Sequence, residues 1–149
     1  MAIERNDISD PAFELEIFQY LKDFGFAPER RGDLVHLSGV GVGAGDNSVD
    51  ISLNLVEMDG HRILEVSSVL RAPGVSFEKA MTTAAQGNLS CLIAKFTPVE
   101  NLEQGTHSVR AGQVLYADHL SGVELKAMLY LFVKEVDAID NMLVDMLIN

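Results

Sequence analysis

Asp118, His119 and Ser121 stand almost side by side, and an acid, a base and a hydroxyl are the groups that nucleophilic catalysis uses. A working set converges in space from separate elements, and its hydroxyl must be free to attack. Here Ser121 opens Ser-Gly-Val-Glu, the pattern of a capping box, and Asp118-His119 falls in the turn before it. The spacing predicts a helix start, and no catalytic residue is assigned. His36, His61, His107 and His119 contain no pair at the i, i+4 spacing with which a helix holds zinc, so no metal ligand is assigned either. His61, beside a turn, is expected in solvent. Cys91, the single cysteine, cannot form an intrachain disulfide and is expected as a small buried hydrophobe. Gly39, Gly41, Gly43 and Gly45 alternate, and a glycine-rich loop can cradle phosphate where a strand precedes it and a helix follows. A strand follows here, so the tract is expected to be a flexible connection with no cofactor. A small-molecule or nucleotide sensor using Gly39–Gly45 is the alternative reading of function.

These positions are arranged around one long hairpin, from Asn47 to Leu70. Asp59-Gly60 supplies the positive φ angles of a type I′ turn. Pairing Met58 with His61 then places Glu57 opposite Arg62, Val56 opposite Ile63, Leu55 opposite Leu64, Asn54 opposite Glu65 and Leu53 opposite Val66. Val49, Ile51, Leu53 and Leu55 share a core face with Leu64, Val66, Ser68 and Leu70. On the other face Asn54, Glu65, Ser52 and Ser67 are the best polar grouping, expected as a solvent face, and Glu57 with Arg62 is expected to form an ion pair. Val56, Met58, Ile63 and Val69 interrupt that polar face and are the candidate partner-binding residues.

Asp10-Pro11 starts a first helix, striped by Phe13, Ile17, Tyr20, Leu21 and Phe24 and stopped at Gly25. A strand is expected over Leu34–Val40. Ser76 caps a second helix whose stripe is Phe77, Ala80, Met81, Ala84 and Ala85, closed by Gly87-Asn88. Strands are expected over Leu89–Phe96, ended by Thr97-Pro98, and over Ser108–Tyr116. The last helix, 121 to 148, would be on the order of 40 Å long. Its far end, Ile139, Met142, Leu143, Met146 and Leu147, is either covered by a long sheet or buried by a second copy. The second is preferred, because an exposed apolar patch of that size is a liability in a monomer.

The chain has 149 residues, 48% of them hydrophobic, enough for one domain (1–149) with a real core. A net charge of -11 opposes phosphate backbones and anionic membranes, so no nucleic-acid partner is expected. No signal-peptide core and no transmembrane run occurs, and a cytoplasmic location is expected.

The order helix, three strands, helix, two strands, helix resembles the type III secretion chaperone-like fold shared by small acidic secretion chaperones and the bacterial YbjN family, assigned to sensory-transduction regulation. The resemblance rests on the first helix ending at Phe24-Gly25-Phe26, the central hairpin, Ala85 to Phe96 (AQGNLSCLIAKF), and Val109 to Asp140 (VRAGQVLYADHLSGVELKAMLYLFVKEVDAID). It covers nearly the whole chain, apart from a glycine tract longer and more regular than the family pattern. The resemblance implies an α+β fold, α-β-β-β-α-β-β-α, with a twisted antiparallel five-stranded sheet and helices packed on one face. It also implies a non-enzymatic, protein-binding homodimer, chaperone-like or regulatory, whose partner is a protein client.

Overall fold

The computed structural model describes residues 5–7, 11–41, 48–71 and 74–148. Its elements run β1 (Arg5–Asp7), α1 (Pro11–Asp23), β2 (Glu29–Arg31), β3 (Leu34–Gly41), β4 (Ser48–Met58), β5 (His61–Val69), α2 (Phe77–Ser90), β6 (Lys95–Asn101), β7 (Thr106–Tyr116) and α3 (Gly122–Ile148). The central hairpin forms in the expected register, from Met58↔His61 to Ser52↔Ser67. Asp59 and Gly60 have φ of 51° and 81°, as a type I′ turn demands. Val49, Ile51, Leu53, Leu55, Leu64, Val66, Ser68 and Leu70 are all buried beneath the helices.

The sheet is antiparallel in the order β2-β3-β4-β5-β7-β6, and β1 lies along β4 where β3 stops. β1 and β2 are additions to the five expected strands. Arg5-Asn-Asp and Glu29-Arg-Arg offer no apolar alternation, and all three β2 residues are exposed, so pairing alone makes them strands. Helix α1 stops as its sequence predicts: Gly25 has φ 87°, its N–H donates to Lys22 C=O at 2.9 Å, and Phe26 N–H reaches Leu21 C=O at 3.0 Å.

Three expectations are corrected. Helix α2 does not close at Gly87-Asn88 but runs to Ser90, and the following strand is Lys95–Asn101 rather than Leu89–Phe96. Pro98 sits inside β6, which tolerates it because β6 is the sheet edge. Second, α2 buries Ala80, Thr83, Ala84 and Gly87, leaving Phe77 and Met81 exposed. The small side chains let the helix approach closely, and a Cβ on Gly87 would lie 2.6 Å from the Phe96 ring. Third, the far end of α3 is covered in part within the chain itself. The helix has 27 residues while β4 and β7 have 11 each, so helix and strands span comparable lengths of about 35–40 Å. Ile139 and Leu143, two of the five candidate interface residues, are therefore buried in the chain's own core, with Met142 packed against it. Met146 is half-buried, and Leu147 remains on the surface.

Two carboxylates on α3 tie it to neighbouring chain. Arg71, at the end of the hairpin, donates its backbone N–H to Asp140 at 3.1 Å, its Nε to the same carboxylate, and an Nη2 to Asp137 at 3.1 Å. Glu135 accepts from the N–H groups of Leu92, Ile93 and Ala94 at 2.7, 2.9 and 2.7 Å. Three successive amides point at one carboxylate, a small anion-binding concavity filled from within the chain.

Candidate partner-binding face

The core cluster draws residues from α1, α2 and α3 against one side of the sheet, and among the described residues no helix covers the other side of β5, β7 and β6. The pairings Ile63↔Tyr116, Glu65↔Val114, Ser67↔Gly112 and Val69↔Arg110 set those side chains beside one another on the open face, and Thr97↔Arg110 and Lys95↔Gly112 extend it to the edge strand. Val69, Val114 and Tyr116 are 56%, 64% and 55% exposed. A trough of about 660 Å³ runs past the end of β6, with Val114, Thr97, Val99, Lys95 and Arg110 on the open side and Ile93, Leu92 and Met128 on the helix side.

Of the four residues proposed from sequence, Val69 is exposed and Met58 and Ile63 are half-buried. Val56 is 0% exposed, so the isolated chain does not offer it to a partner, and the apolar part of the face lies further toward β7 than expected. Val114 and Tyr116 were missed because Gln-Val-Leu-Tyr-Ala, 113 to 117, is nearly uniformly apolar and does not say which residues face out. Asn54 Nδ2 donates to Glu65 at 3.2 Å as the register implied, and Glu65 borders the trough. Glu57 stands opposite Arg62 in the ladder, and the guanidinium lies over the Phe13 ring, 5.1 Å from its centre; among the described residues no ion pair joins Glu57 and Arg62.

At the hairpin tip the fold assembles a polar cluster that no local spacing announced. Asp118 accepts from Arg62 N–H at 2.7 Å and from the Tyr116 hydroxyl at 2.7 Å, while His61 Nδ1 lies 2.9 Å from the same carboxylate. His61 is exposed, as expected, but engaged rather than merely solvated. The His61 bond first, then those from Arg62 and Tyr116, hold the Asp118 carboxyl well below the usual carboxylate range. The bond to Asp118 in turn pushes the Tyr116 hydroxyl up. Both carboxylate oxygens are occupied, and Ser121 is elsewhere, its Oγ accepting from Glu124 N–H at 3.1 Å as a helix cap. The cluster is a clip between the hairpin tip and the turn leading into α3.

A depressed folded-state value means that the unfolded chain takes up the proton first as the pH falls. The clip's contribution is complete above about pH 4 and is lost progressively below it. Asp118→Asn is therefore expected to flatten the fall of the thermal midpoint between about pH 4 and pH 2. Parallel curves for the two proteins would remove the clip as a source of stability.

The remaining candidates are partly described. Gly39, with φ 65°, gives its N–H to Asp50 at 2.8 Å, and a carboxylate there opposes a phosphate; residues 42–47 of the glycine tract lie outside the described residues. Cys91 is half-buried, not fully enclosed as expected, and its surroundings push the thiol pKa up, chiefly by burial. Among the described residues no three His, Cys, Asp or Glu side chains converge as metal ligands.

No protein-family model matches the chain, and no curated protein matches it. Among solved structures, YbjN from E. coli, titled a candidate transcription regulator, superposes with a TM-score of 0.56 at 13% identity, over 91% of this chain and 92% of that one. With three helices on one face of an antiparallel sheet, the chain has the α+β fold of YbjN.

Proposed function

We propose that this chain is a protein-binding domain, regulatory or chaperone-like and non-enzymatic, acting as a homodimer in the bacterial cytoplasm. The observation that carries the reading is the uncovered sheet face, where exposed Val69, Val114 and Tyr116 border a trough of about 660 Å³. A net charge of -11 favours acting through a protein rather than directly on nucleic acid. Met146 and Leu147, with exposed Val144 beside them, remain the surface that a second copy would cover. A sensor built on Gly39–Gly45 has weaker support, since the Gly39 amide is already bonded to Asp50.

The test begins with a client recovered from the native cell, identified by mass and then purified. Val69→Glu with Val114→Glu alters exposed positions and is expected to keep the fold while weakening client binding by about tenfold or more. Sedimentation of the complex reads both the affinity and the number of copies of this chain. A client that binds the double variant as tightly as the wild type sinks the proposed face.

A further inference from the structure

Leu70 N–H donates to Val109 C=O and Ala117 N–H to Arg62 C=O, both at 2.9 Å. Backbone groups alternate sides along a strand, so the odd-numbered residues of β7 turn toward β5 and the even-numbered ones toward β6. Strand β6 ends its pairing at Lys95↔Gly112. The N–H and C=O of Val114 and Tyr116 therefore face a vacant position in the sheet, and among the described residues none of these backbone groups has a partner there.

The chain's own next segment does not fill the slot, because Glu135 holds the amides of Leu92, Ile93 and Ala94 away from it. The outer edge of β6 is treated in the opposite way. Asn88 accepts from Phe96 N–H at 2.7 Å and donates to Phe96 C=O at 2.9 Å, so its side chain covers that edge as a strand would. Asn88 covers the outer edge of β6 at Phe96, whereas among the described residues nothing covers the edge of β7 at Val114 and Tyr116. The uncovered edge coincides with the end of the trough, where Gln113 is 8% exposed and its side-chain oxygen is buried without a hydrogen-bond partner.

We propose that the edge of β7 from Gln113 to Tyr116 takes an added strand, an extended segment of a partner protein with an acidic residue opposite Val114. This rests on the protein-binding reading and specifies its mode. An added strand continuing the line of β6 would bond the main chain of Val114 and Tyr116. Its residue opposite Gln113 would point to the helix side, where a hydroxyl or amide donor meets the orphan oxygen and Ile93 and Met128 form the walls. Its residue opposite Val114 would point to the open face, about 7 Å along from Lys95. Lys95 and Arg110 line this trough, and neither is in an ion pair with a carboxylate among the described residues, although acidic groups outnumber basic ones 22 to 11 in the chain. An acidic side chain is the partner they lack.

The test uses the full chain labelled with nitrogen-15 and two capped peptides, Val-Thr-Val-Thr-Glu-Thr, whose last threonine falls opposite Gln113 when its glutamate is opposite Val114, and its counterpart with lysine in place of glutamate. The glutamate peptide is expected to slow exchange of the Val114 and Tyr116 amides at least about tenfold. It should bind about threefold tighter than the lysine peptide, the size expected of an exposed ion pair. Val114→Pro removes an N–H that faces the slot and no bond to β5, so the fold should survive while binding is lost. Should that variant unfold, Lys95→Glu with Arg110→Glu is expected to reverse the preference between the peptides. Binding that survives Val114→Pro, or that shifts only Val69 and Val99, overturns the added strand while leaving a protein-binding face in place. No binding of either peptide at millimolar concentration also overturns it. Protection of Val114 in the peptide-free chain that disappears on dilution gives the edge to a second copy instead, and overturns it too.

Discussion

Asp140→Ala is expected to cost about 3 kcal/mol, toward the lower end of what breaking a buried charge pair costs, and to lower the thermal midpoint by roughly 6–12 °C. The carboxylate is 1% exposed and takes both the backbone N–H and the Nε of Arg71. Removing it leaves a backbone donor without its partner and strips the guanidinium of its closest anion. The cost stays below the upper range because the Arg71 side chain is 38% exposed and keeps Asp137. Asp137→Ala should be milder, since Asp137 receives a single bond from Arg71 and its own side chain is 12% exposed. Asp140→Asn, which keeps an acceptor of the same shape, should fall between. Urea and thermal unfolding of the three variants give the ranking, and equal losses for Asp137→Ala and Asp140→Ala would show that the network does not centre on Asp140.

This network marks the boundary of what the sequence could tell. Arg71 reads locally as the first residue of the turn that stops the hairpin, and Asp137 and Asp140 read as polar residues of a long helix. Their one visible irregularity is position: both interleave with Val136, Ile139 and Leu143 on the buried side of α3, where a carboxylate needs a partner. The partner could not be named, because it comes from a distant turn. Glu135 illustrates the same limit, since nothing local marks it as the acceptor for three amides of the segment after α2.

What was legible depended on local chemistry. Asp59-Gly60 fixed the hairpin turn, and the alternation on either side fixed its register and its core face, because a one-residue slip would have turned every core side chain to solvent. Gly25, Ser76 and Ser121 marked helix ends through their own bonds. The candidate face was legible in part. Val69 stands out in an alternating strand, whereas Val114 and Tyr116 lie in a run where apolar residues face both ways. The open slot beside them arises because Leu89 to Ala94, apolar enough to read as a strand, is divided between the end of α2 and a loop captured by Glu135.

Gly87 lies within α2 just before that division, against Phe96, and its substitution is the second large effect. Glycine near the end of a helical stretch reads as a stop, which would call for a positive φ; Gly87 instead lies within α2, which continues to Ser90, and it is not among the positive-φ glycines. If Gly87 were an ordinary helical position with no role against the ring, Gly87→Ala would stabilise the helix by about 1 kcal/mol. The added Cβ, however, would stand 2.6 to 3.0 Å from three atoms of the Phe96 ring, itself 3% exposed and packed in the core. Overpacking of that kind costs about 3 kcal/mol when the neighbour cannot yield, so the net expectation is a loss of about 2 kcal/mol. The sign separates the two roles. A second substitution separates them again: Phe96→Leu alone opens a cavity and destabilises, but in the Gly87→Ala background it removes the clash. The double variant should therefore be more stable than the sum of the two single losses by about 1–2 kcal/mol, and strict additivity in urea unfolding would mean that the glycine is not there for the ring.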